Sequence, residues 1–434
     1  MGHVKDNRLE EAGMAQKGIR EFHGKRMLAE NLVKFFGRDF GYDGKIALID
    51  SDTDWDALAK DNPWLLSTPL VAKPDQLFGK RGKHGLLYVN KNFAEVKEWI
   101  AARMDVRTEV GKISDTLTHF IVEPFVPHDE EYYVAIKSTV TGDVVYFSTQ
   151  GGMDMESVWD TIVEINVAVD ESIDDIDVAA KLPADLPADK RALVSIYIKG
   201  LFKFYVDFHF AYLEINPFAV IGDNVYPLDM VARLDDTAQF ECAPKWGATD
   251  FPPPFGRKLS PEEAYIRDLD EKTGASLKLT IIDINARVWN LVAGGGASVI
   301  YADTVADLGN ASDLAMYGEY SGNPNKEMTY EYTKTVLDLM TRTVDPEGKI
   351  LLIGGGIANF TDIAKTFAGI IQALNDYAEK LREHKVKIYV RRAGPNYQEG
   401  LRLMRELGSK LGVPIEVYGP ETHMTKIVSM ALGK

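Results

Sequence analysis

The chain has 434 residues, of which 45% are hydrophobic and 26% charged, and it carries a formal net charge of −16. That length suggests about two to four domains of ordinary globular composition. The acidic balance argues against a nucleic-acid surface while leaving room for a local basic pocket, and one cysteine, Cys242, excludes an internal disulfide and a cysteine metal cluster.

The opening "MGHVKDNRLEEAG" is charged and polar, unlike a secretory signal. The longest span-like stretch, 288–302, is shorter than the roughly 20 residues a membrane helix needs. With the solitary cysteine, these features point to a soluble, cytoplasmic protein. The first half reads as an α+β domain. Helical patterns at about 10–36, 93–104 and 188–207 are interspersed with strand-like runs: "HFIVEPFV", "YYVAIKS", "VVYFST", "TIVEINVAV", "FAYLEINPFAV" and "NVYPLDMVARLD". Hairpin signals stand at "TGD" (141–143) and "GDN" (222–224).

Two stretches of this half carry chemistry. In "LVAKPDQLFGKRGKHG", Lys73 follows an apolar run, and Lys80, Arg81 and Lys83 sit among Gly79, Gly82 and Gly85. Glycines and cations so mixed fold over a polyphosphate or form a solvated basic loop; the run leaves both open. In "YLEINPFAVIGDNVYPLD", a tight turn centred on Gly222 and Asp223 places Asn216 opposite Asp229, with Glu214 two residues away on the same face. Opposed Cβ atoms lie roughly 4.5–5.5 Å apart. A carboxylate and an amide oxygen at that separation suit Mg²⁺, which also takes waters and nucleotide phosphates; the alternative is a polar pair at a sheet edge.

"DFPPPFGRKLSPEEAY" marks a boundary near residue 256, dividing the chain into 1–255 and 256–434. Three prolines make a stiff connector. A helix start follows, with Ser260 as N-cap, Pro261 at the first helical position and Glu263 closing a capping box. Beyond it the class changes to α/β. Strands "SLKLTII", "RVWNLVAG", "KILLIG", "VKIYV" and "PIEVYG" alternate with helical patterns, which argues a mostly parallel, doubly wound sheet. "GGGAS" (294–298) and "GGGIANFT" (354–361) are both strand-to-helix turns, able to line one crevice beyond the strand ends. Such turns receive an anion or need glycine for tightness alone. The dinucleotide fingerprint fails twice, because "GGGIAN" lacks the third glycine of G-x-G-x-x-G and the next strand ends in Arg391 and Arg392 instead of an acid, an end that suits a small polyanion better than a ribose diol.

The segments "PWLLSTPLVAKPDQLFGKRGKHGL", "IVEPFVPHDEEYYV", "YLEINPFAV", "PPPFGRKLSPEEAYIRDLDEKTGASLKL", "VAGGGASVIYADTVADLG", "YGEYSGNP", "GGGIANFTD" and "VRRAGPNYQEGLRLM" together resemble the ATP-citrate lyase family, from about residue 46 onward. The resemblance implies an ATP-grasp domain followed by a citrate-binding, Rossmann- or flavodoxin-like domain, as in the succinyl-CoA synthetase β subunit. It implies ATP contacts at Lys73, Arg81, Gly82, Pro124, Val126, Glu131 and Asp229. It implies metal contacts at Asn216 and Asp229, with a further set at Asp270, Thr273 and Ala275, and citrate contacts at Gly322, Asn359, Thr361, Tyr377 and Arg392. Mg²⁺ is the implied metal, and ATP, citrate and CoA the substrates.

The family's phosphohistidine lies on a Gly-His-Ala-Gly loop, and none of the eight histidines here lies in one; His423, in "ETHMTK", reads as a polar residue at a helix start. The resemblance therefore implies a hetero-oligomer with a larger subunit carrying the phosphohistidine, the CoA site and the citryl-CoA lyase portion. No catalytic residue is expected in this chain. Two other functions share its local chemistry: an acyl-CoA synthetase subunit that stops at the thioester, and a non-catalytic nucleotide- or citrate-sensing module.

Overall fold

The computed structural model describes residues 16–152, 161–272 and 274–434, which fall into two compact units, Met1–Lys258 and Leu259–Lys434. Among the described residues no helix is long and apolar enough to cross a membrane.

The first unit is built on antiparallel strands. One sheet runs in the order Gln16–Ile19, Met230–Asp235, Phe210–Ile221, Tyr132–Thr139, Gly142–Ser148, Val163–Ala168, with Asn224–Pro227 also paired to Phe210–Ile221. A smaller sheet runs Ala47–Ile49, Phe120–Pro124, Leu70–Pro74, Tyr88–Lys91. Helices Glu21–Phe36 and Ala188–Asp207 lay apolar faces on the large sheet, where Met27, Leu28, Tyr197, Leu201, Phe204, Leu213 and Phe218 share one core. The small sheet has its own core around Leu70, Ala72, Ile100, Phe120 and Val122. The expected helix at 10–36 is corrected in part: residues 16–19 are a strand, paired Gln16 to Asp235 and Ile19 to Ala232. A free sheet edge captures the segment before the helix begins, and its first residues lie outside those described.

The hairpin at 222–223 has the predicted register. Phe218 pairs with Pro227 and Ile221 with Asn224, and the Asn216 N–H donates to the Asp229 carbonyl at 3.0 Å.

The second unit is a six-stranded sheet in the order Ser276–Ile281, Met316–Ser321, Val288–Ala293, Ile350–Gly355, Lys387–Arg391, Ile415–Tyr418. Only the first pair is antiparallel. Met316–Ser321 was not expected as a strand: "MYGEYS" is short and glycine-broken, and its strand character comes from pairing on both sides. Helices cover both faces. Trp289, Leu291 and Leu351 pack under helices Lys326–Met340 and Ile363–Asp376, whereas Val288, Val292 and Leu352 pack under Gly295–Leu308 and Lys426–Leu432. The chain leaves the neighbouring strands Val288–Ala293 and Ile350–Gly355 toward opposite faces, so their carboxyl ends flank a topological switch point, where such sheets open a crevice. At the start of this unit the capping box forms as expected: Ser260 N–H donates to Glu263 Oε2 at 2.8 Å and Glu263 N–H to Ser260 Oγ at 3.1 Å.

Candidate functional site

In the first unit a cavity of about 200 Å³ is lined by Tyr42, Lys45, Val71, Lys73, Leu87, Val89, Glu123, Pro124, Phe125, Val126, His128, Glu131, Pro217, Leu228 and Asp229. Apolar side chains make most of the wall and a few charged groups converge at one end, as in small-ligand sites generally. Of the residues marked for ATP in the sequence, Lys73, Pro124, Val126, Glu131 and Asp229 line it. Arg81 stands beside it, its guanidinium donating to the Asp229 carboxylate and to the Pro74 carbonyl at 3.0 Å. The basic run divides by residue: Arg81 is buried, while Lys80, Gly82, Lys83 and the glycine after them are exposed.

The charged end rests on residues that the sequence reading missed. Glu21, in the first turn of its helix, holds Lys73 Nζ at 2.7 Å, Lys25 Nζ at 2.8 Å and Arg81 Nη2 at 2.7 Å. Lys25 reaches on to Glu123 Oε1 at 2.8 Å, and both lysines donate to the Leu228 carbonyl. Burial alone would raise the Glu21 carboxyl, but Lys25, Lys73 and Arg81 hold it far below the usual carboxylate range. In sequence, Glu21 and Lys25 look like an ordinary surface pair one helical turn apart; only the tertiary structure buries them.

Two further contacts shape the cleft. His128 bridges the Val126 carbonyl at 2.7 Å and Glu131 Oε1 at 3.1 Å. The Gly152 N–H donates to Asn216 Oδ1 at 2.8 Å, and its φ of +68° favours glycine at this position. Glu214 lies by the same amide; burial raises its carboxyl and the Asp229 charge adds to the rise, against hydrogen bonds from Tyr212 and Asn216.

Asp75 accepts the N–H groups of Glu21 at 2.8 Å and Phe22 at 3.1 Å, capping the helix that carries the network. Burial pushes its carboxyl up to about 6, with Glu21 adding to the rise. A carboxyl raised above its unfolded value near 3.9 stabilises the fold fully below that value, and the contribution is lost as pH rises through 6. Asp75→Asn is therefore expected to close its stability gap to wild type, by roughly 2–3 kcal/mol, between pH 4 and pH 7. Urea midpoints at each pH measure it, and a constant gap contradicts the assignment.

In the second unit the carboxyl edge carries Gly322, Asn359, Thr361 and Arg392 of the other predicted residues. Arg391 Nη1 donates to the Gly355 carbonyl at 3.0 Å and Arg392 Nη1 to the Gly356 carbonyl at 3.1 Å. A Cβ on Gly354 would stand 2.4 Å from the Tyr301 ring, and one on Gly355 2.1 Å from Arg392 Nη1; the glycines are there for close approach. Burial lowers the Arg392 guanidinium from its ordinary value, against Tyr320 and Tyr301 and with Arg391 adding to the fall, which still leaves it cationic at neutral pH. Asn359 is exposed and Thr361 half-buried on the same turn. Gly322, at φ +73°, follows the strand Met316–Ser321 at this edge, beside Ala275.

The two helix starts at this edge differ from the sequence picture. Asp362 caps its own helix through Lys365 N–H at 3.0 Å, and the Glu319 carboxylate packs at Gly295. The chain thus supplies negative charge at both helix N-termini, and the cations offered at this edge are arginines.

Asp270 accepts the Leu277 N–H at 2.7 Å and pairs with Lys278 at 2.6 Å, so its carboxylate is already engaged; carbonyls in the last turn of helix Pro261–Lys272 lack intrahelical partners. Thr273 lies outside the described residues. Tyr377 is not brought to the arginine turn. It ends the helix Ile363–Asp376, about 20 Å along the axis from Thr361, and its hydroxyl faces Asp338 Oδ1 at 3.5 Å.

The profile of the ATP-citrate synthase ATP-grasp domain matches residues 15–246, and that of the ATP citrate lyase citrate-binding domain matches residues 257–434. The ATP-citrate synthase of Bos taurus is 51% identical over 422 residues, 97% of this chain but 38% of the bovine protein, so the chain spans well under half of that relative. The ATP-citrate synthase alpha chain protein 2 of Oryza sativa subsp. japonica is 50% identical over 96% of this chain and 98% of its own length. A solved ATP citrate lyase from Methanothrix soehngenii, in complex with citrate and coenzyme A, superposes with a TM-score of 0.86 at 54% identity, covering 96% of this chain and all of that one. The chain belongs to the ATP-citrate synthase (ATP citrate lyase) family, with that family's ATP-grasp domain in its first part and its citrate-binding domain in its second.

Proposed function

We propose that this chain is the nucleotide- and citrate-binding subunit of a cytoplasmic ATP-citrate lyase, working with a larger subunit that carries a phosphohistidine, the CoA site and the citryl-CoA lyase portion. The observation that carries the reading is the first unit's cleft, which Lys73, Pro124, Val126, Glu131 and Asp229 all line. In this reading 1–255 is the nucleotide domain, and 256–434 is a Rossmann-like citrate domain that uses its switch point.

Lys73 and Arg81 take phosphate oxygens, Gly82 lies on the exposed loop beside them, and Pro124 and Val126 line the apolar slot with Glu131 at its side. Asp229 and Asn216 are hard oxygen donors that fit Mg²⁺. Among the described residues no three His, Cys, Asp or Glu side chains gather as a metal cluster, which suits an ion completed by phosphates and waters. Bound there, Mg²⁺ supplies charge neutralisation at the transferring phosphoryl group. The carbonyls at Asp270 and Ala275, with Thr273, are the second proposed metal contact. The γ-phosphoryl group passes from ATP to the partner's histidine and then to a citrate carboxylate held by Gly322, Asn359, Thr361 and Arg392. The CoA thiol displaces phosphate from citryl phosphate, and the partner cleaves citryl-CoA to acetyl-CoA and oxaloacetate.

The test uses the chain alone and with its partner. Alone it is expected to bind ATP and citrate by calorimetry, form no acid-labile histidine phosphate from radiolabelled ATP, and release no acetyl-CoA. With the larger subunit, label and acetyl-CoA should both appear, and Asp229→Asn should slow labelling most at limiting Mg²⁺. Acetyl-CoA from the isolated chain, or Asp229→Asn labelling as fast as wild type, contradicts the reading.

A further inference from the structure

The strand Lys387–Arg391 and the residue after it leave two guanidinium groups at the carboxyl edge of the second unit's sheet, Arg391 4% and Arg392 2% exposed. They hold consecutive carbonyls of one turn, Gly355 and Gly356, and Arg391 Nε also donates to the Thr422 carbonyl at 2.9 Å. Among the described residues no carboxylate lies within ion-pair distance of either group. The Glu421 carboxylate, on the loop that Arg391 reaches, is turned onto the Gly419 N–H at 2.8 Å. Arg392 Nε is buried with no hydrogen-bond partner, as is the Tyr320 hydroxyl.

Two buried like charges, hydrogen-bonded to carbonyls alone, with the Glu421 carboxylate near enough to Arg391 to feel its charge but not paired with it, are a costly arrangement for a fold that has acidic side chains to spare. Arg81 in the first unit shows the alternative: it is equally buried and held by Glu21 and Asp229. Charge left uncompensated beside a glycine turn marks a place where negative charge arrives with a ligand. A planar guanidinium receives a carboxylate through two parallel N–H bonds, and two guanidiniums on adjacent carbonyls of one turn can take two carboxylates of one molecule.

We propose that Arg391 is a second ligand-binding cation, and that with Arg392 it makes the glycine turn a two-guanidinium site selective for a tricarboxylate over a dicarboxylate. The proposal rests on the citrate reading above and adds to it a residue and a basis for selectivity. A dicarboxylate that occupies both guanidiniums has no carboxylate left for the neutral donors of the same turn, Asn359 and Thr361, whereas a tricarboxylate engages all of them. Arg391 also ties the turn to the Thr422 loop, so ligand binding and the order of that loop are coupled through one side chain.

Calorimetric titration of the full chain with citrate and with succinate tests this in wild type, Arg391→Met, Arg391→Lys and Arg392→Met. Arg391→Met is expected to weaken citrate at least 10-fold and to shrink the citrate-over-succinate ratio by a similar factor, with ATP affinity unchanged. Arg391→Lys should lose about threefold or more, since it keeps the charge and loses the fork. If Arg391→Met does not fold, the lysine variant decides at unchanged melting temperature, and equal citrate affinity overturns the proposal. Loss of citrate in Arg392→Met with none in Arg391→Met overturns the proposal and leaves the citrate reading standing. Absence of citrate binding in the wild type removes both.

Discussion

Glu21→Ala is expected to destabilise the first unit by about 3–5 kcal/mol, the cost of removing one partner from a buried ion network. Glu21 is 4% exposed and touches three cations. Without it Lys25 keeps Glu123, and Arg81 keeps Asp229, but Lys73 retains only a distant Glu123 oxygen at 3.4 Å and the Leu228 carbonyl. The net balance of the cluster moves one unit toward positive charge in a largely buried place beside the cleft. A loss of that size is a large fraction of the roughly 5–15 kcal/mol that holds a domain together. Urea denaturation followed by tryptophan fluorescence and circular dichroism measures it. Glu21→Gln, which keeps the volume and one acceptor, should recover part of the loss. A destabilisation below about 0.5 kcal/mol, the range of ordinary surface substitutions, would mean that the network contributes nothing. ATP affinity is expected to fall in the same variants, because the cations facing the cleft are aimed by Glu21.

Arg392→Ala is expected to lose about 1.5–3 kcal/mol of citrate binding, the range for a hydrogen bond to a charged group, equivalent to about 10- to 150-fold in affinity. ATP binding, in the other unit, should not change. Arg392→Lys keeps the charge without the planar fork and should fall between wild type and alanine. Truncation also opens space under Gly355, whose turn is shaped to let the guanidinium pass, so melting temperatures accompany the titrations. Equal citrate affinity in two equally folded proteins means that the arginine serves the sheet edge alone.

Much of this protein was legible one element at a time. The turn at Gly222 and Asp223 pins the strand register through period-2 geometry, so Asn216 opposite Asp229 follows from counting. Ser260, Pro261 and Glu263 mark a helix start by chemistry confined to four residues. The alternation beyond residue 256 specifies a largely parallel sheet, because parallel neighbours require long crossovers. Other features had no local signal. Gln16–Ile19 became a strand because an edge at Met230–Asp235 was open to it, and Met316–Ser321 became one between two partners.

Segment resemblance also named the residues of the two sites, and their placement was left to the fold. Tyr377 shares a helix with the arginine turn and stands at its other end. The Gly-rich turns looked like helix ends awaiting an anion, but Asp362 and Glu319 already answer them, and the unanswered charge belongs to Arg391 and Arg392.

The sequence by itself determined the elements whose signals are local: turn residues, helix caps, strand periodicity, the proline boundary, and the family to which these segments are similar. Tertiary structure alone decided which charges are buried and with whom. Glu21 and Lys25 on one helix, Arg81 and Glu123 come from three separate stretches and meet in one buried place, whereas Arg391 and Arg392, adjacent in the chain, are buried with no carboxylate of the described residues paired to them. The physical reason is that an ionised side chain costs little in water and much when desolvated. Its role is therefore set by whatever the fold packs against it, and the string of residues around it carries no record of that neighbour.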